Sequence, residues 1–327
     1  MITEGLVYEA LGTGVHRGEG NGMRFNPRAR IDNSQVEERG SGGGGLGGGG
    51  MRLPIPSGGG GKVGLGTVAV VVIYLLISLI GGNNPIPGAG GDSTGTTAGS
   101  DCKTGADANK SQDCAINLIT NSVQDYWAQT YETQAGQPYQ DIRTIKFSGA
   151  TASGCGQASS AMGPFYCPND RRVYLDTSFM SDMLQGQLGA KGGPFALAYV
   201  IAHEYGHHVE NLLGLLGKAR TQQGPKSDSV KIELMADCLA GMWAKGAQTT
   251  KDAQGNTIIA DLTQDDIARA IDAAQAVGDD RIQKQSSGRV NPEAWTHGSS
   301  DQRVHWFNVG LEDGTLEACN TFAAGAL

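Results

Sequence analysis

Charge is scarce in this chain: Asp, Glu, Lys and Arg make up 18% of its 327 residues, and aromatic residues only 6%. The basic residues form no cluster after Ser100, and the net charge is −8. Nucleic-acid binding by phosphate neutralisation is therefore excluded, because it needs a basic surface. No CxxC pair occurs, so a cysteine-built zinc site is not expected. No repeat with a period of about 20 to 50 residues is present, which sets aside solenoids and propellers. Long apolar runs are also missing, with one exception, so a polytopic membrane protein is excluded.

Glycine is the opposite case, with 51 residues, and it is unevenly placed. Gly40 to Gly61 holds 13 glycines in 22 positions, too few side chains to bury, so it reads as a flexible segment. The one apolar run follows directly. Val63 to Ile80 is uncharged and close to the shortest length that crosses a bilayer as a helix. Before it stand Arg24, Arg28, Arg30, Arg39, Arg52 and Lys62, whereas the first basic residue after it is Lys103. The positive-inside rule then puts the N-terminus in the cytoplasm. No small-residue cleavage site follows, so an uncleaved signal anchor is favoured over a secretory signal peptide.

The expected organisation is a Gly-rich disordered cytoplasmic tail (1–62), one transmembrane helix (63–80), a flexible linker (81–100) and a catalytic-sized domain (101–327). Met1 and Met23 are both candidate starts. The location is then a membrane, with the large domain on the side away from the cytoplasm and the lipid bilayer as one partner. Six cysteines all lie after the run, as an oxidising compartment permits. Proximity favours Cys102 with Cys114 and Cys155 with Cys167, leaving Cys238 for Cys319; buried free thiols are the alternative.

Within 101–327, Ile116, Ile119, Val123 and Trp127 share one helical face. Ile142–Phe147 and Arg172–Leu175 read as strands. Helices are expected from Pro194 to Leu213, Asp228 to Ala244, Thr263 to Val277 and Ser300 to Leu311. The fold class is α+β, mostly helical, with a small sheet.

His203-Glu204-Tyr205-Gly206-His207 carries the chemistry. Histidines four apart on a helix lie on one face, at a spacing that one zinc ion bridges, and Glu204 stands beside them to take a proton from water. A catalytic zinc needs a third protein ligand. Glu210 and Leu213 occupy the positions where the metzincin pattern needs glycine and histidine, which excludes that pattern. Glu233, on the expected second helix, is the candidate ligand. Asp237, one turn on, can accept a ring N–H from a ligating histidine, and Ala240 and Gly241 let the two helices approach.

HEYGHH followed by ELMADCLAG resembles the glutamate-ligated zinc peptidases typified by thermolysin. Within them it is most similar to the bacterial membrane-anchored neutral zinc metallopeptidases. GPFYCPNDRRVYLD at Gly163 to Asp176, VGDDRIQ at Val277 to Gln283 and THGSSDQRVHWF at Thr296 to Phe307 extend the likeness, as does the arginine-rich start at Met23. The resemblance implies a zincin-like metallopeptidase domain, Zn2+ on His203, His207 and Glu233, catalytic Glu204, a peptide or protein substrate, and a bacterial inner membrane as the location, with the large domain periplasmic or extracellular. A catalytically silent membrane-tethered zinc-binding scaffold is the alternative.

His297, in a Gly and Ser loop before a helix, is a second catalytic candidate, able to reach the oxyanion of peptide attack. Tyr205 is a lesser candidate for that task. His208 points about 100° away from His207 and is expected in a structural hydrogen bond. Asp279 and Asp280 make an incomplete calcium site and read as a loop cap.

Overall fold

A computed structural model describes residues 22–39, 96–97 and 101–327. The apolar run Val63–Ile80, the glycine-rich segment before it and residues 81–95 after it lie outside the described residues, while Thr96–Thr97, expected in the flexible linker, form a strand instead. Among the described residues no helix is long and apolar enough to cross a membrane. The architecture is mixed α+β with roughly half helix and small sheets.

The elements that frame the molecule are strands β1 (Arg24–Phe25), β2 (Val36–Arg39) and β3 (Thr96–Thr97), helix α1 (Gln112–Ala135) and strand β4 (Arg143–Phe147). The hairpin β5 (Ala150–Ser153) and β6 (Gly156–Ser159) precedes β7 (Phe165–Cys167) and β8 (Arg172–Asp176). Helices α2 (Pro194–Leu212) and α3 (Asp228–Gly246), strand β9 (Ile259–Asp261) and helices α4 (Gln264–Ala276), α5 (Asp279–Ser287) and α6 (Ser300–Asp313) complete them.

The main sheet runs β3-β2-β4-β8-β7, with β2, β4 and β8 parallel and the two edges antiparallel. Side chains alternate across it, as the strand period requires. Tyr166, Val173 and Leu175 join the core under the helices, while Phe165, Cys167 and Tyr174 pack on the opposite face with Ile145 and Phe147. The β5–β6 hairpin covers that second face, through Ala158 and the Cys155–Cys167 pair.

The helices start where local chemistry provides partners for their first N–H groups. Pro194 occupies the first turn of α2, where a missing N–H costs nothing. Ser227 caps α3, while Thr263 with Asp266 and Ser299 with Gln302 close reciprocal caps on α4 and α6. These helices begin and end within about two residues of the sequence expectation. All three expected cysteine pairs, Cys102–Cys114, Cys155–Cys167 and Cys238–Cys319, lie at disulfide distance, and no free cysteine occurs among the described residues.

One expectation is corrected. Residues 22–39, assigned to a disordered tail, are part of the folded unit: β1 pairs with β9 and β2 lies between β3 and β4. Met23, Phe25, Ala29 and Val36 are buried, so this segment has the apolar anchors a tail lacks. Its mixed charge and the glycines after it hid those anchors. Gly241 is a smaller correction: a Cβ there would meet the Phe307 carbonyl oxygen at 2.1 Å, so it serves the contact of α3 with α6, not with α2.

Candidate active site

Helix α2 puts His203 and His207 one turn apart, with ring centroids separated by 4.8 Å. Gly206 fixes how close α3 comes. A Cβ at Gly206 would lie 2.9 Å from Ala236 Cα and 3.0 Å from its carbonyl oxygen, so only glycine permits this crossing. Glu233 thereby reaches both imidazoles: Oε2 is 3.3 Å from His203 Nε2 and Oε1 is 3.8 Å from His207 Nε2. The ligand atoms of His203, His207 and Glu233 all lie within 4.8 Å of one another.

Both imidazoles are held from behind. His203 Nδ1 is 3.0 Å from Asp237 Oδ1, and His207 Nδ1 is 2.8 Å from Glu210 Oε2. Each Nδ1 is thus occupied by a carboxylate, which leaves each Nε2 towards Glu233. Asp237 also accepts from Tyr199 Oη at 2.6 Å and from Arg303 Nε and Nη2 at 2.8 and 2.9 Å. Arg303 Nη2 lies 4.0 Å from Glu233 Oε2. Asp237, Glu233, His203, Glu210 and Arg303 are all buried.

Burial and charge oppose each other throughout this cluster. Burial would raise the Glu233 carboxyl, but His297 and the two imidazoles hold it well below the usual range. Burial would also raise Asp237, which Arg303 and His203 keep low. Burial alone lowers His203, yet the Asp237 carboxylate lifts it to about 9, while burial takes His207 down to about 4. Glu210 is pushed up by burial and then by Glu233, Asp237 and Glu204. Positive charge between the Nε2 atoms would favour its ionised form.

Glu204 is buried beside these residues, and burial, only partly offset by charge on His203, moves its carboxyl up to about 7. The backbone of Tyr166, in edge strand β7, acts on this carboxyl in the downward direction. His297 approaches from the loop before α6 and interacts with the charge of Glu233. Asp279 Oδ2 draws that loop in by accepting from the N–H groups of Thr296 (2.7 Å), His297 (2.7 Å) and Gly298 (3.1 Å). His297 Nδ1 lies 3.3 Å from Asp279 Oδ1, so Asp279 is a loop cap, as expected, and also a partner of the imidazole.

Tyr205 is not brought into this group. Its hydroxyl meets Thr144 Oγ1 at 3.0 Å within the core, on another side of α2. His208 is likewise turned away, with Nε2 2.7 Å from the Gln140 carbonyl and Nδ1 3.1 Å from Tyr166 Oη. Asp280 caps α6 by accepting from Ser300 N at 2.7 Å. Four participants escaped the sequence reading: Arg303, Tyr199, Gly206, and Glu210 as a partner of His207. A charged residue inside an apolar helix stretch, such as Arg303 before Val304, Trp306 and Phe307, was the available signal.

Residues 23–322 match the family model described as "Putative neutral zinc metallopeptidase". Uncharacterised proteins of Mycobacterium tuberculosis and Mycobacterium bovis are each 49% identical over 230 residues, covering 70% of this chain and 76% of the relative. The uncharacterised protein YpfJ of Escherichia coli is 46% identical over 212 residues, covering 63% of this chain and 70% of its own. No solved structure matches the chain.

Proposed function

The chain belongs to the neutral zinc metallopeptidase family, and from that premise we propose that it hydrolyses peptide bonds with His203, His207 and Glu233 holding zinc and Glu204 as general base. The observation that carries this reading is the donor set: two Nε2 atoms and one carboxylate converge within 4.8 Å, with both Nδ1 atoms already occupied. Two imidazoles and one carboxylate suit zinc, and three protein ligands are what a catalytic site uses, keeping a position free. A zinc ion held there would act as a Lewis acid on the scissile carbonyl and lower the pKa of water towards 7.

The remaining steps belong to side chains. Glu204, raised by burial to about 7, takes a proton from the attacking water and passes it to the leaving amine. His297, its charge sustained by Glu233 and Asp279, donates to the oxyanion that develops on the carbonyl. An extended substrate would lie along β7, the sheet edge next to Glu204, where backbone groups can pair with it. A silent zinc-binding scaffold would have no use for a buried carboxylate between the two histidines. A zincin-like fold accords with this placement of helix and edge strand.

The test is metal analysis of the purified protein together with cleavage of a mixed peptide library, with and without a chelator. Zinc near one equivalent and cleavage that chelation stops and zinc restores are expected. Cleavage that survives removal of the metal would refute the proposal.

A further inference from the structure

Residues 22–39 and 101–327 form one folded unit, yet the apolar run at 63–80 lies between them in sequence. The joint between the two parts is extensive. β2 runs beside β4 in register from Val36↔Thr144 to Arg39↔Phe147, and β3 returns antiparallel along β2 with Glu37↔Thr97. The chain therefore leaves the sheet and re-enters it on neighbouring strands, about 5 Å apart.

Buried polar groups of the large domain are completed only by the early segment. Asn121 Oδ1 accepts from Asp32 N at 2.9 Å, and its Nδ2 donates to the Asp32 carbonyl at 3.0 Å. Asn117 Nδ2 donates to Asn33 Oδ1 at 2.9 Å, and Asn109 makes the same two-way contact with the Phe25 backbone, at 2.9 Å each. Asn117 and Asn121 are buried, so without residues 22–39 these donors and acceptors would lose their partners. Gly105 leaves room for the segment, since a Cβ there would sit 2.0 Å from the Asn26 carbonyl oxygen.

A single membrane crossing at 63–80 would put these two parts on opposite sides. A second crossing within the run is excluded by length, because one helix needs about 20 residues and the run has eighteen. A return through 81–95 is excluded by chemistry. About 50 Å of extended chain would reach, but GGNNPIPGAGGDSTG would carry unpaired backbone groups through hydrocarbon.

We infer that residues 22–39 and 101–327 occupy the same, exported side of the membrane, with no single crossing between them. The three cysteine pairs set the side, since disulfides persist in oxidising compartments. This replaces the single-pass arrangement expected from the basic residues, four of which (Arg24, Arg28, Arg30 and Arg39) belong to the folded unit. It does not depend on the peptidase reading.

The test uses two variants of the full chain, Arg28→Cys and Gln285→Cys, both at exposed positions with every native cysteine paired. Spheroplasts are treated with a membrane-impermeant maleimide before and after permeabilisation. Both variants should label fully without permeabilisation. Labelling of Gln285→Cys at once and of Arg28→Cys only after permeabilisation would overturn the inference in favour of a single crossing. Labelling of neither before permeabilisation would overturn the exported side.

Discussion

Arg303 grips Asp237 at two points, Nε to Oδ2 at 2.8 Å and Nη2 to Oδ1 at 2.9 Å, and the same Oδ1 faces His203 Nδ1 at 3.0 Å. Paired charges this deeply buried are costly to separate. The grip keeps Asp237 ionised and its oxygen aimed at the imidazole, which in turn fixes where His203 Nε2 points. Arg303→Lys should therefore weaken zinc affinity by about 10 to 100-fold while the chain stays folded, because lysine keeps the charge but loses the fork. Competition with a zinc-sensitive dye measures this. Unchanged affinity would reduce Arg303 to a packing role.

Glu204→Gln separates chemistry from metal binding. Glutamine keeps the shape but cannot take a proton, so cleavage should fall by at least about 100-fold with zinc content unaltered. Glu233→Ala should lower both together, since two histidines alone hold the metal poorly. Glu210→Ala is the informative contrast. Its carboxylate sits behind His207 rather than among the ligand atoms, so it should weaken binding without emptying the site.

Much of this site was legible because a helix converts sequence spacing directly into geometry. His203, Glu204 and His207 are local, and Asp237 follows from Glu233 by one turn of α3. What brings α2 and α3 together is not local. Gly206 reads as a neutral member of the motif until Ala236 is seen against it, and Arg303 arrives from about 100 residues downstream. The sheet was less visible for the same reason. β1, β2 and β7 are four residues or fewer and are defined by their partners, whereas long periodic helices declare themselves.

The close crossing at Gly206 yields its own prediction. Gly206→Ala would place a methyl 2.9 Å from Ala236 Cα, a distance that forces backbone to move. Overpacking of this kind costs about 1 to 3 kcal/mol. Thermal unfolding should show that loss, and zinc affinity should fall with it, because the same shift withdraws Glu233 from the histidines. Loss of stability with zinc affinity intact would show that α3 can give way without disturbing the ligands.

Asp125, on α1, offers a test away from the histidine and carboxylate cluster. Burial, together with the charges of Asp141, Asp252 and Asp32, moves its carboxyl from an ordinary 3.8 to about 7. An unfolded chain releases that proton near pH 4. Between about pH 4 and 7 the folded chain therefore holds a proton the unfolded chain has lost, and stability falls as pH rises through that window. Above pH 7 the full penalty applies. Asp125→Asn removes it, so the variant should gain little at pH 4 and most at pH 8. Asp125 is only partly buried, and water screens the repulsion, so a gain of about 1 to 2 kcal/mol is expected, or a Tm rise of roughly 2 to 6 °C. Calorimetry of both proteins from pH 4 to 8 measures the difference directly. A gain that is flat across this range, or that shrinks towards pH 8, would mean that Asp125 is already ionised at low pH in the folded chain and that its acidic neighbours do not repel it.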